Sequence, residues 1–91
     1  MNNSDDLIEL ESTIVYNLRP TFLSIVHEKE ELPFIHIIVS HPSFNNKPMK
    51  DRINYIFSLI KDNNLDILNR VTIIVEAFSS SEMEDLFEHF V

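Results

Sequence analysis

The chain has 91 residues, 44% of them hydrophobic, with no Cys, no Gly and a formal net charge of −8, enough for one core of two packed layers that buries roughly 60–65% of the unfolded surface. The lack of Cys excludes a disulfide framework and a thiolate ligand from this chain, and the lack of Gly excludes every glycine-rich phosphate loop. Fifteen acidic against seven basic residues oppose nonspecific attachment to nucleic acid, which depends on neutralising phosphates with Lys and Arg.

The opening residues, MNNSDDLIELE, have neither the basic start and apolar run of a secretory signal nor the Arg-rich character of a transit peptide. No apolar run approaches the ~20 residues that cross a bilayer. The expectation is a cytoplasmic protein with one domain over residues 1–91, the first four frayed.

From Asp5 onward, Leu7, Leu10, Ile14, Val15 and Leu18 share a helical face, and Asp5 and Asp6 suit the positive end of a helix that stops before Pro20. Residues 21–27 (TFLSIVH) read as a strand, HEKEELP as a charged loop and FIHIIVS, residues 34–40, as a second strand, together an antiparallel hairpin. Pro42 and the Asn45-Asn46 pair break the chain. Pro48 suits a first helical turn, after which Met49, Ile53, Ile56, Phe57 and Ile60 recur at helical spacing. The polar residues 62–69 hold one apolar pair, Ile67 and Leu68, and read as a short helical turn. With no Gly available, the pairs Asn45-Asn46 and Asn63-Asn64 are expected to supply left-handed turn positions. Residues 71–78 form a third strand. Ser79 and Glu82 then have capping-box spacing ahead of the stripe Met83, Leu86, Phe87 and Phe90, a third helix.

The order αββαβα predicts an α+β domain: a three-stranded mixed sheet with helices packed on one face. A crossover through the second helix is expected to set the third strand parallel to and beside the first. Glu76 would then face the loop that begins at His27.

Several stretches resemble the BolA family, a class II KH-like fold without the GxxG loop. FIHIIVS followed by Phe44 is similar to the family's phenylalanine, apolar strand, serine and phenylalanine pattern. KDRINY, residues 50–55, resembles its RHRxVY signature: Lys50, Arg52 and Tyr55 agree in type, whereas Asp51 replaces a histidine and Asn54 an apolar residue. IIVEAFSSSEM resembles its third strand and following helix, with Phe78, Ser79 and Glu82 agreeing, Met83 for a tryptophan and Glu76 for a histidine. The turn between Phe44 and Lys50 is shorter, and the stretch 62–69 longer, than the usual pattern.

The resemblance implies a non-enzymatic adaptor, a monomer alone, that forms a heterodimer with a monothiol glutaredoxin in iron-sulfur trafficking or iron regulation. It implies a [2Fe-2S] cluster shared with that partner, with His27 and Glu76 as the metal residues. The implied partner surface comprises His27, the loop 28–33, Arg52, Glu76, Phe78 and Ser79. A carboxylate is a harder ligand than the imidazole it replaces, so a bridged cluster is expected to be held weakly and to be strengthened by Glu76→His.

Set beside this is a plainer reading of the same residues. An acidic residue between a strand and a helix N-terminus is stabilised by ~0.3–1 kcal/mol without any function. His27 before EKEE suits a solvated or ion-paired position, His36 a sheet face, His41 a turn and His89 a helix C-terminus. The Ser79–Ser81 cluster is explained by capping, and no catalytic constellation is legible. Lys47, Lys50 and Arg52 are the one basic cluster; they carry the rival reading of a KH-like nucleic-acid binder or stress-linked transcriptional regulator. A diverged protein-interaction domain with neither partner is the third.

Overall fold

In FIHIIVS every second side chain, Ile35, Ile37 and Val39, is buried, while Phe34, His36 and Ile38 stand on the opposite, more open face. The period of two follows from the pleat, and it makes this segment the middle of a sheet. The structure, a computed structural model, describes residues 3–28 and 34–89, with side chains for 5–28 and 34–86. The loop 29–33 and Phe90 lie outside the described residues, as do the side chains of Phe87 and His89.

The elements are α1 (Asn3–Leu18), β1 (Phe22–Glu28), β2 (Phe34–Ser40), a single 3₁₀ turn (Pro42–Phe44), α2 (Met49–Arg70), β3 (Thr72–Phe78) and α3 (Ser80–His89). This is the expected αββαβα order, with helices packed on one face of a three-stranded mixed sheet.

The strand order is β1-β2-β3. β1 and β2 are antiparallel, Phe22 opposite Ser40 and Glu28 opposite Phe34; β2 and β3 are parallel, Phe34 opposite Thr72 and Ser40 opposite Phe78. The third strand therefore does not pair beside the first or run parallel to it, contrary to the sequence expectation. The hairpin reverses the chain between β1 and β2, and α2 returns it to the start of β2, so β3 takes the direction of β2 and the vacant edge beside it.

α1 packs on β1, α2 packs on β3, and the two helices pack on each other. The core joins Leu10, Ile14 and Leu18 of α1, Ile35, Ile37 and Val39 of β2, Ile56, Ile60 and Ile67 of α2, and Val75 and Ala77 of β3, with Phe44 from the 3₁₀ turn closing one end. α2 leaves helical geometry at Asn64 (φ −156°, ψ 67°), whose side-chain oxygen accepts from the Ile67 amide at 3.4 Å and whose amide nitrogen donates to Glu9. Asn64 thus restarts the helix much as an N-cap does. The restart turns Ile67 into the core.

The Asn pairs do not take left-handed positions. Asn45 is right-handed helical (φ −56°), and among the described residues the one positive φ belongs to Arg19 (φ 53°), just after α1. Its amide donates to Val15 O at 3.0 Å, closing the helix in the manner usually served by glycine. A side chain there costs roughly 1 kcal/mol. Arg19→Gly is therefore expected to stabilise the chain by about 0.5–1 kcal/mol, raising Tm by a few degrees; calorimetry checks this.

Candidate functional site at the end of the sheet

The second helix presents Arg52 at the position where its apolar stripe would otherwise continue. Arg52 is only 7% exposed, and a buried guanidinium is tolerable only where its donors are met. They are met by three segments. Nε donates to Lys47 O at 2.7 Å; Nη1 donates to Ala77 O at 3.2 Å and to Glu82 Oε1 at 2.6 Å. The loop before α2, the end of β3 and the first turn of α3 are tied by one side chain.

The same Glu82 oxygen accepts from the Ser79 amide at 2.7 Å, and Ser79 Oγ accepts from the Glu82 amide at 3.3 Å. The capping box is formed as its spacing predicts. The Ser79 amide, and behind it the Arg52 guanidinium, hold the Glu82 carboxyl below its ordinary range. Ser40 Oγ donates to Ser79 O at 3.5 Å, and the Ser80 amide donates to Asn45 Oδ1 at 3.0 Å. Asn45, expected only as a turn residue, caps α3.

These bonds change two assignments. Arg52 and Ser79, expected on the partner surface, are both buried, Ser79 at 3% exposed, and their polar atoms serve the fold. Arg52 is likewise lost to the basic cluster. Lys47 and Lys50 remain exposed, and Lys47 Nζ sits 5.6 Å from the centre of the Tyr55 ring. Two lysines on an acidic chain are a small phosphate footprint.

Glu76 and Phe78 stand on the face of the sheet turned away from α1 and α2. Glu76 Oε2 accepts from His36 Nε2 at 2.9 Å, a pair one strand apart. His27 is elsewhere: it lies opposite Ile35, on the helix face at the hairpin end, within electrostatic reach of the buried Asp6 carboxylate. A bidentate partner holds Asp6, with Arg70 Nη2 and Nη1 donating at 3.0 and 3.2 Å. That partner was not legible in the sequence, the two residues being 64 apart. Hydrogen bonding from Arg70 outweighs burial and lowers the Asp6 pKa.

No family model matches the chain, and no curated protein matches it by sequence. Solved structures do match in shape. A Bol-like protein from Babesia bovis has a TM-score of 0.71 at 16% identity, covering 87% of this chain and 90% of that one. BolA1 from Arabidopsis thaliana has 0.67 at 13%, covering 84% and 93%. The chain has the BolA-like fold. The BolA domain of SufE1 from Arabidopsis thaliana agrees, with 0.69 at 15% over 85% and 94%.

A BolA-like fold raises the question of a shared cluster, and the register answers it for the residues named above. Ile35, opposite His27, lies opposite Ile73 in β3, three residues before Glu76. That offset is roughly 10 Å along the strand, added to two strand spacings of ~4.8 Å, and an odd offset puts the two side chains on opposite faces. His27 and Glu76 cannot ligate one cluster. The donor set does not fit. Among the described residues no group of three His, Asp or Glu could hold a metal ion either. Glu76→His, expected to strengthen a cluster bridged through His27, is corrected accordingly: it creates no site there.

Two outcomes follow for Arg52, Asp6 and Glu82. Arg52→Lys keeps the charge but loses the directed fork, and is expected to cost roughly 1–3 kcal/mol in denaturant unfolding. Asp6 and Glu82 have folded-state pKa values below their unfolded ones. Their stabilisation is complete above the ordinary carboxylate range, ~4, and is lost as pH falls through the lowered values. Urea midpoints should be flat above about pH 5 and fall below it.

Proposed function

We propose that this chain is a non-enzymatic, cytoplasmic adaptor of the BolA type that pairs with a monothiol glutaredoxin as a heterodimer, without contributing a pair of cluster ligands through His27 and Glu76. The observation that carries the reading is the fold: three BolA-type structures superpose over at least 84% of the chain. One of them is a domain of a larger protein, SufE1, which suits a module that brings other proteins together. The pairing surface is the hairpin end, where His27 stands beside the loop. Arg52 and Ser79 act only by holding α3 in place.

The rival nucleic-acid reading loses support because Arg52, one of its three cations, is sequestered by Lys47 O, Ala77 O and Glu82.

Calorimetric titration with a monothiol glutaredoxin from the same organism tests the proposal. A 1:1 complex is expected with the cluster-free partner, weakened by His27→Gln and unaffected by Glu76→Gln. With the cluster-loaded partner, addition of this chain should leave the visible absorption bands unchanged. No binding in either form contradicts the adaptor reading, and new bands lost in Glu76→Gln contradict the cluster-free version of it.

A further inference from the structure

Strand pairing assigns twelve side chains to the face of the sheet opposite α1 and α2: Phe22, Ser24, Val26 and Glu28 on β1, Phe34, His36, Ile38 and Ser40 on β2, and Thr72, Ile74, Glu76 and Phe78 on β3. Six are large and apolar. Val26 and Ile74 are 46% and 44% exposed, a level at which a sheet face of a small α+β domain ordinarily carries polar residues. Beyond Phe78 the surface continues into an open groove of about 310 Å³ lined by Phe78, Glu82, Asp85 and Leu86.

The charges on this surface have one sign. Glu28 lies on the sheet with Glu76, which accepts from His36, and Asp85 lies along the groove with Glu82, which Arg52 already holds from behind; none of the twelve face positions or the four groove positions is Lys or Arg. An apolar floor flanked by carboxylates, with no Lys or Arg among its own positions, selects a partner that is apolar on one side and basic beside it. A second copy of this chain, itself at −8, would bring carboxylates against carboxylates. Nucleic acid would bring phosphates against them.

The dimensions narrow the class further. Three strands of seven residues make a face roughly 14 Å wide and 23 Å long, the footprint of one helix of about 15 residues with its side chains. We propose that the open face of the sheet, with the adjoining Phe78–Leu86 groove, docks a basic amphipathic helix of a partner protein. This surface meets the hairpin end assigned to glutaredoxin only at Glu28 and Phe34 and is centred away from it, on Ile74 and Phe78, so its test does not depend on that partner. An adaptor needs two surfaces, and this is the second.

The probe is a 16-residue helical peptide with a Leu face flanked by Lys and Arg, compared with the same peptide in which Glu replaces every Lys and Arg. Both are titrated into the full chain and followed by fluorescence anisotropy and amide chemical shifts. The basic peptide is expected to bind, with shifts centred on Val26, Ile74 and Phe78, and to weaken with added salt. Glu76→Lys and Ile74→Lys should each weaken it roughly tenfold, while Lys61→Glu, on the exposed side of α2, should not weaken it. Equal binding of both peptides, shifts confined to α1 and α2, or no binding of the basic peptide would overturn the proposal. So would an oligonucleotide or a second copy of the chain producing the same shifts more strongly.

Discussion

The guanidinium of Arg52 is the constraint from which the rest of the arrangement follows. Its three hydrogen bonds reach the loop before α2, the end of β3 and the capping carboxylate of α3. Desolvating a guanidinium is expensive, so the segments around it have little freedom once it is buried. α3 is thereby fixed at the end of the sheet. With α1 and α2 already committed to one face, no further described helix remains for the other, and the apolar side chains of that face stay accessible.

The fold was largely legible because its signals are local. FIHIIVS alternates strictly, the Ser79-Glu82 spacing encodes a cap that forms, and the stripe through Ile56 and Ile60 marks the buried side of α2. What the sequence obscured is non-local. The partner of β3 is decided by strand direction, so a plausible pairing beside β1 gives way to one beside β2 once the hairpin is drawn. Arg52 reads as a surface cation because nothing nearby in sequence announces Ala77 O or Glu82, 25 and 30 residues away. The absence of glycine pointed to the Asn pairs for left-handed backbone, yet that position falls to Arg19, where the helix must end before Pro20. Asn64 was legible as a break, but its role in restarting α2 was not.

The candidate site was legible in part. The resemblance of FIHIIVS, KDRINY and IIVEAFSSSEM to the BolA family anticipates the fold found by shape comparison at 13–16% identity. It does not carry the ligands. Glu76 looks like a strand-end residue in the linear sequence, but parity places it on the open face beside His36, away from His27. Residue types at matching positions are not a site until their side chains converge, and here the pleat keeps them apart. The same parity gathers Val26, Ile38 and Ile74, none of them expected as a site residue, onto one surface with Phe78.

The claim that Arg52 organises this molecule from within is tested most directly by a double-mutant cycle on Arg52 and Glu82, using Arg52→Met, Glu82→Gln and the double variant in denaturant unfolding. A structural latch predicts a coupling energy of roughly 1–3 kcal/mol, with the double variant less destabilised than the sum of the two single variants. A coupling near zero, with Arg52→Met as stable as the parent chain, would contradict the account and return Arg52 to the surface.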